Sequence, residues 1–233
     1  MPNLTAKGKK ESSLKLWVNK MTVIRTIHSK LNYPIELIKL KPEHPEKSIL
    51  IIGVLHGDEP DGEYLIRKYL ESDPEVNKNR LLFIPCLNPD GKHLNTRQNV
   101  NGVDLNRNFP SQNWELTEDK DYFGGEHPSS ERETKFVLKV FEQFDIDCIL
   151  AIHAPYKIVN YDGPAKELAE KISKITGYPV QDYIGYPTPG SLGTFAGIER
   201  NIPTITLELP ENEAKEELWE HNKNIFEYLA NKF

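Results

Sequence analysis

The chain has 233 residues, of which 38% are hydrophobic; this suits one globular α/β domain with a large core and argues against disorder. A net charge of −6, from 29 Lys and Arg against 35 Asp and Glu, gives no basic footprint for nucleic acid or an anionic membrane. No apolar run approaches the ~20 residues of a membrane span, and no leader peptide is recognisable. The two cysteines, Cys86 and Cys148, lie in apolar runs and are expected to be buried free thiols. These features together predict a cytoplasmic protein.

Residues 1–20 are polar, and we separate them from a folded domain over residues 21–233. Predicted strands cover 35–40, as an edge strand, then 48–55, 80–87, 146–152, a short stretch within the loop region 177–192, and 202–209. Predicted helices cover 61–71, 129–144, 164–176 and 214–233. Residues 88–128 show little periodicity, and a stretch of that length in a compact domain is usually functional.

Strands that alternate with helices predict a largely parallel sheet covered on both faces. Polar side chains mark the ends of three of these strands. His56 and Glu59 follow strand 48–55, His153 follows strand 146–152, and Glu208 lies at the end of strand 202–209. Ligands bind such sheets at the carboxyl ends of the strands. We therefore expect these four residues to be neighbours in space.

Two histidines and a glutamate form a ligand set that catalytic zinc sites use, with the fourth position left to water. Taken alone, His56 and Glu59 fit a helix-capping carboxylate beside a surface histidine equally well, and His153 fits a hydrogen-bonded core histidine. Their joint occurrence at strand ends favours a metal. Asp58 is a competing ligand in the same loop, or could instead cap the helix or hold the second nitrogen of His56.

Glu208 beside a metal could take a proton from water and return it to a leaving amine. The alternative is a surface glutamate that begins an acidic run. Arg97 and Arg107 lie in the long aperiodic segment, and arginine side chains bind carboxylates through two parallel hydrogen bonds. One arginine could stabilise a developing oxyanion and another could bind a substrate carboxylate, although a surface ion pair explains either residue in isolation.

These motifs together resemble the zinc carboxypeptidase family, and their order and spacing are similar to its small bacterial branch, the murein peptide amidases, which cut the γ-D-glutamyl–diaminopimelate bond. The resemblance spans about 48–209 and is carried by His56–Glu59, Asn88–Gly91, Arg97, Gly102–Pro110, Ala151–His153 and Thr206–Glu208. It implies a single three-layer α/β/α domain with a mixed, mostly parallel sheet of about eight strands. It also implies a hydrolase that acts on small, cell-wall-derived peptides.

The resemblance assigns His56, Glu59 and His153 as ligands of one zinc ion per chain, and Glu208 as general base and then general acid. It assigns Arg97 to the oxyanion, and Asn106 and Arg107 to the free carboxylate of the released residue, which is diaminopimelate or another C-terminal residue.

One departure concerns the tyrosine that the family places on a mobile loop ahead of the base. Residues 190–196 offer phenylalanine and threonine there, and Tyr183 and Tyr186 lie nearby without matching the motif. A diaminopimelate end carries an extra amine and carboxylate, for which Asp182 and Glu199 are candidate contacts.

Two other functions stay open at this point. One is an N-acyl amino acid deacylase of the succinylglutamate desuccinylase and aspartoacylase group, which shares the metal pair. The Asn-Pro-Asp-Gly turn and the Gly102-Val103 pair favour the peptidase. The other is a non-catalytic module that binds a peptide carboxylate. Neither the oligomeric state nor the preferred terminal residue follows from the sequence.

Overall fold

The computed structural model describes residues 21–183 and 185–233, so the expectation about the polar segment 1–20 lies outside the described residues. Within these ranges the strands are β1 (Thr22–His28), β2 (Pro34–Leu40), β3 (Ser48–Gly53), β4 (Arg80–Ile84), β5 (Cys148–His153), β6 (Tyr156–Asp162), β7 (Val180–Gln181) and β8 (Thr204–Pro210). The α-helices are α1 (Asp61–Glu71), α2 (Pro89–Leu94), α3 (Arg132–Gln143), α4 (Lys166–Thr176) and α5 (Lys215–Asn231). A 3₁₀ turn covers Leu105–Arg107, and a π-helical segment covers Gly193–Ile198.

The strands form one sheet in the order β1-β2-β4-β3-β5-β8-β6-β7. Strand β3 lies parallel to β4 and β5, β5 lies parallel to β8, and β6 lies parallel to β7. The pairs β1–β2, β2–β4 and β6–β8 are antiparallel. The predicted mixed, mostly parallel sheet of about eight strands is confirmed.

Helices cover both faces of the sheet. Every residue of β3 is buried, because successive side chains of a central strand point into two different cores. Ile49 and Ile51 belong to the core that contains apolar residues of α1, α4 and α5. Leu50 and Ile52 belong to the opposite core, with α3 and residues of the long irregular segment. The three-layer α/β/α architecture is therefore confirmed.

The prediction that residues 35–40 form an edge strand is wrong. Strand β2, predicted at the edge, lies between β1 and β4, and its residues Ile35, Leu37, Ile38 and Leu40 are buried. Strand β1 takes the edge instead. All seven of its side chains are exposed or half-buried, so this strand has no continuous apolar run that would predict it from the sequence. Strand β6 does not fit the predicted alternation of strands and helices either. It begins only two residues after β5, with no helix between them, and it pairs antiparallel with β8.

Residues 88–128 are irregular but well bonded. Asn88 begins α2, and its side-chain oxygen accepts a hydrogen bond from the Gly91 N–H at 3.0 Å. Asp104 caps the 3₁₀ turn by accepting from the Asn106 N–H at 2.8 Å. These short helical turns are stabilised by hydrogen bonds from the backbone to capping side chains, whereas a longer helix is stabilised by a periodic apolar face. Caps of this kind give the segment its helical turns without a hydrophobic period in the sequence.

The two cysteines are unpaired and buried, as predicted. Burial raises the pKa of both the Cys86 and the Cys148 thiol to about 12, so neither thiol is a reactive nucleophile near neutral pH. Among the helices of the described ranges, none is both long and apolar enough to cross a membrane.

A buried polar network holds the irregular segment against α3. Asn99 donates to Glu131 at 2.8 Å and to Glu133 at 3.4 Å, and Asn101 donates to the same Glu131 oxygen at 2.7 Å. Burial disfavours the ionised form of both Glu131 and Glu133. For Glu131, hydrogen bonds from Asn101, Asn99 and Ser130 outweigh this effect and lower its pKa. Glu133 is only 1% exposed, and its burial together with the charge of Glu131 raises its pKa to about 7.

This network predicts that the free energy of unfolding depends on pH through Glu133. Between its ordinary pKa of 4.5 and about 7, the folded protein binds a proton that the unfolded chain has lost. The free energy of unfolding from this group is thus highest below pH ~4.5 and falls as the pH rises to about 7, by on the order of 2–3 kcal/mol. Urea unfolding at pH 5 and pH 8 should show this difference in the wild type.

Glu133→Gln, which is neutral at every pH, should reduce that difference by about the same amount. Glu142→Gln on the exposed side of α3 is the matched control and should leave the difference unchanged. An unaltered pH difference in Glu133→Gln would contradict the assignment.

Candidate active site

The turn after β3 presents two polar side chains at the carboxyl edge of the sheet. Val54 adopts a left-handed conformation, φ 54°, which breaks the strand before His56. A Cβ on Gly57 would overlap the backbone of Gly91, so only glycine allows the turn after β3 to pack directly against α2. Glu59 follows just before α1. The turn therefore aims an imidazole and a carboxylate at the same point.

His153 completes the group from the end of β5. The Nδ1 atom of His56 lies 2.8 Å from Oε1 of Glu59, and Nδ1 of His153 lies 2.9 Å from Oε2 of Glu59. The two Nδ1 atoms are 3.2 Å apart. Both histidines are 3% exposed. The structure thus brings the three sequence-predicted ligands together, as three ligand atoms that all lie within 4.8 Å of one another.

Asp104 holds the other nitrogen of His56. Its Oδ1 lies 3.2 Å from Nε2 of His56, and a carboxylate that accepts from Nε2–H leaves the Nδ1 lone pair of the neutral ring directed at the ligand group. Burial disfavours a charged His56, but the carboxylates of Glu59 and Asp104 raise its pKa to about 9. Asp58, which the sequence analysis considered for this role, is exposed at the cavity.

These residues fit a divalent metal ion. Two imidazole nitrogens and one carboxylate oxygen are a donor set that zinc binds, with a position left for water. The ligand atoms are close enough to share one ion, and the anchored Nε2 of His56 fixes which nitrogen faces it. Burial opposes charge on Glu59, yet both histidines together hold its pKa well below its usual range, so it is an ionised ligand at neutral pH.

Arg97 lies beside the ligand group, as predicted. Its Nε and Nη2 atoms are each 3.1 Å from Oδ2 of Asp104, and its Nη1 is 3.6 Å from Oε1 of Glu59. Its backbone carbonyl accepts from the Gly57 N–H and from the Asn88 side chain, both at 3.2 Å. Contacts to both the backbone and the side chain therefore hold this guanidinium close to the metal ligands.

Glu208 lies on β8 directly beside His153 of β5 in the sheet register. It is 6% exposed, and its Oε2 has no hydrogen-bond partner within the described chain. Burial raises its pKa, while the nearby His153 opposes that shift. The carboxylate faces the cavity, and the alternative of a surface glutamate is wrong.

Asn106 and Arg107 line the same cavity from the 3₁₀ turn. The side-chain oxygen of Asn106 accepts from the Leu192 N–H at 3.0 Å, which directs its amide N–H₂ away from that contact. Arg107 is 4% exposed and donates through Nη1 to the Asn106 carbonyl at 2.8 Å, whereas its buried Nη2 has no partner within the described residues. A buried arginine with an unused donor suits a carboxylate ligand.

The sequence indicates Tyr183 and Tyr186 only as tyrosines near the loop, and the structure places both at the cavity. Tyr186 lies near the two arginines. It lines the cavity of about 430 Å³ that contains the metal ligands, Arg97, Arg107 and Glu208. Burial raises the pKa of the Tyr186 phenol, and the two guanidinium groups of Arg107 and Arg97 oppose this shift. Tyr186 thus offers a phenol at the cavity although it does not match the family motif. No spacing in the sequence ties it to the other site residues, because it lies in an irregular loop.

Sequence and structure comparisons agree with this geometry. Residues 18–171 match the family model described as zinc carboxypeptidase. The chain is 31% identical over 182 residues to murein peptide amidase A of Escherichia coli strain K12, covering 72% of this chain and 74% of that protein. It is 32% identical to murein peptide amidase A of Vibrio campbellii, covering 78% and 77% of the two chains.

Solved structures show the same fold. The murein-tripeptide amidase of Escherichia coli O157 superposes with a TM-score of 0.72 at 28% identity, over 87% of each chain. The carboxypeptidase A of Helicoverpa armigera superposes with a TM-score of 0.73 at 18% identity, over 91% of this chain and 69% of that one. The chain therefore belongs to the zinc carboxypeptidase family and is a hydrolase of the metallocarboxypeptidase and amidase type.

Proposed function

We propose that this protein is a zinc-dependent hydrolase of the amide bond that joins a terminal, carboxylate-bearing residue to a small peptide. The observation that supports this most directly is the convergence of three metal ligands, an unpaired buried carboxylate and an arginine with a free donor in one cavity. The metal ligands suit activation of water, and the arginine suits recognition of a chain end. A site with both features acts near the end of its substrate.

His56, Glu59 and His153 would hold one zinc ion per chain. When bound, zinc supplies Lewis-acid polarisation of a carbonyl and makes water more acidic. Asp104 keeps His56 in the ring orientation that this ligation needs.

Glu208 carries the protons in the proposed reaction. Its unpaired Oε2 can accept a proton from water in the cavity, and its raised pKa lets it keep that proton until the amine departs. Because β8 pairs with β5 and Glu208 lies beside His153 in the register, this carboxylate is next to the metal ligands. One residue would thus serve as general base and then as general acid.

Arg97 stabilises the negative charge that develops on the carbonyl oxygen. Its guanidinium is already oriented by Asp104 and by its proximity to Glu59, so little reorganisation is needed during the reaction. Asn106 and Arg107 bind the free carboxylate of the residue being released. Tyr186 lies beside both arginines and supplies a hydroxyl that can donate to the same carboxylate.

We further propose that the natural substrates are murein-type peptides. The similarity to two murein peptide amidases over about three quarters of each chain supports this choice over an ordinary dietary or regulatory peptide. The assay uses a panel of murein peptides, ordinary peptides and an N-acyl amino acid. Hydrolysis of the N-acyl amino acid alone would indicate the deacylase alternative, and hydrolysis of any compound in the panel excludes a purely binding module. Product analysis by mass spectrometry, with and without chelator, tests the proposal directly.

Removal of one ligand should remove the metal. His153→Ala is expected to lose the one equivalent of zinc per chain and all amide hydrolysis, because two remaining ligands bind zinc far more weakly than three. Zinc is measured by atomic absorption after dialysis. The exposed His127→Ala is the matched control and should keep both zinc and activity. A His153→Ala protein with full zinc content would rule out the ligand assignment.

Glu208→Gln should retain zinc and lose activity by ~10²–10⁴-fold in kcat, the usual contribution of a general acid–base group. The amide preserves size but cannot accept the proton. Glu211→Gln at the mouth of the same cavity is the control for loss of one negative charge. Near-normal turnover by a zinc-loaded Glu208→Gln protein would show that another group moves the proton.

Arg97→Ala should lower kcat by ~10²–10³-fold, the usual cost of removing one donor to a developing oxyanion. Its zinc content, measured in parallel, separates this effect from loss of metal, since Arg97 also contacts Asp104. Arg67→Ala, a half-exposed arginine on α1, is the matched control. The oxyanion assignment fails if Arg97→Ala holds zinc and turns over at the wild-type rate.

A further inference from the structure

Asn88, the first residue of the Asn-Pro-Asp-Gly motif, is completely buried beside the turn after β3. Its side-chain Nδ2 donates to the Leu55 carbonyl at 3.3 Å and to the Arg97 carbonyl at 3.2 Å, and its Oδ1 accepts from the Gly91 N–H at 3.0 Å. Only this orientation of the amide satisfies all three neighbours, because two of them are carbonyls and one is an N–H. The Asn88 side chain therefore joins the turn after β3, the start of α2 and the backbone of Arg97.

The turn after β3 needs such support because its backbone is strained. Val54 is β-branched and fully buried, and its φ of 54° lies in the left-handed region that β-branched residues rarely adopt. A conformation of this kind persists only where the surrounding structure holds it. The backbone N–H of Asn88 donates to the Val54 carbonyl at 2.9 Å, and its side chain donates to the next carbonyl, that of Leu55. Asn88 thus binds the carbonyls of both residues that precede His56.

The glycine of the same motif leaves the space that the Asn88 amide occupies. A Cβ on Gly91 would lie 2.5 Å from Nδ2 of Asn88 and 2.4 Å from the Gln98 carbonyl oxygen. The Gly91 carbonyl accepts from the Thr96 N–H at 2.9 Å, which holds the chain that leads to Arg97 against the start of α2. The motif therefore does more than turn the chain, since it brings the Asn88 amide within hydrogen-bonding distance of the Arg97 backbone.

The Arg97 carbonyl accepts from two groups, and both belong to segments next to the metal ligands. One is the Asn88 amide, and the other is the N–H of Gly57, the residue directly after His56, at 3.2 Å. An aspartate at position 88 would have almost the same size, but it would place an acceptor instead of a donor against two carbonyls. An amide is therefore the group that can hold these two backbone segments together.

We propose that Asn88 is a positioning residue for the zinc ligand His56 and for the proposed oxyanion donor Arg97. For Arg97 this inference rests on the proposed function, whereas for His56 it depends only on the ligand group. Loss of the two hydrogen bonds that the amide donates would let the strained turn relax. His56 would then leave the orientation in which Glu59 and Asp104 contact its two ring nitrogens.

The first test is the affinity for zinc. Asn88→Asp keeps the size of the side chain and the oxygen that caps α2, but it removes both donated hydrogen bonds. We expect the dissociation constant for zinc, measured by competition with a chelator, to rise ~10–100-fold, the usual cost of losing a group that orients a metal ligand. Asn88→Ser, which buries no charge and can donate one hydrogen bond at most, should raise the dissociation constant by less.

Asn79→Asp is the matched control. Asn79 is also completely buried and donates to two backbone oxygens, those of Leu229 at 2.8 Å and Phe233 at 3.4 Å. It directly precedes β4 and so lies at the edge of the sheet opposite the site. This variant should lower the melting temperature and leave the zinc affinity and kcat unchanged.

The second test is a double-variant cycle at saturating zinc. Asn88→Asp should lower kcat ~10–100-fold in the wild-type background. It should have little further effect in the Arg97→Ala background, because no guanidinium is left there to be displaced. Two residues that act as one unit show this lack of additivity, whereas independent residues give additive losses.

A zinc dissociation constant that is unchanged in Asn88→Asp and Asn88→Ser overturns the role toward His56, and so does an equal loss of zinc affinity in Asn79→Asp. Equal falls in kcat in the two backgrounds overturn the role toward Arg97. If Asn88→Asp fails to fold, the same measurements on Asn88→Ser decide both roles. A wild type that hydrolyses no peptide refutes the proposed function, and the zinc affinities still decide whether Asn88 positions His56.

Discussion

One buried carboxylate, that of Asp104, holds the two halves of the candidate active site together. It is fully buried, and its two oxygens contact Nε2 of His56 on one side and the Arg97 guanidinium on the other. Burial alone would raise its pKa, but His56 and Arg97 hold the pKa well below the usual range of an aspartate. Because a buried charge is stable only when it is paired, the positions of these three side chains depend on one another. The ligand group and the proposed oxyanion donor are therefore placed by a single interaction.

The sheet fixes the relative positions of the other site residues. His153 and Glu208 are neighbours across two parallel strands, so the backbone hydrogen bonds of β5 and β8 set the spacing between a metal ligand and the proposed base. The turn after β3 is fixed from the opposite side, where α2 packs directly on Gly57 and the Asn88 side chain donates to the Arg97 carbonyl. Residues far apart along the chain thus meet at one edge with little freedom. Such rigidity is what a preorganised catalytic site requires.

The strands that end in functional residues could be predicted, because central parallel strands are continuous apolar runs and polar residues that follow them stand out. His56, Glu59, His153 and Glu208 all met this condition. Strands β1 and β6 could not be found in this way, since partly exposed strands carry mixed patterns and β6 joins β5 without a helix. Asp104 and Tyr186 lie in irregular segments. Their roles depend on contacts across the fold rather than on local spacing.

The polar groups left without partners explain how this cavity can recognise a charged substrate. Glu208 Oε2 and Arg107 Nη2 are both buried and have no hydrogen-bond partner among the described residues. Each such group lowers the stability of the fold, because its desolvation is not offset by a hydrogen bond. Under the proposed function, a ligand that brings a carboxylate to Arg107 would remove the cost at that residue. An uncharged ligand of the same shape would leave the cost in place, and this difference would favour charged chain ends in a way that the shape of the cavity alone does not.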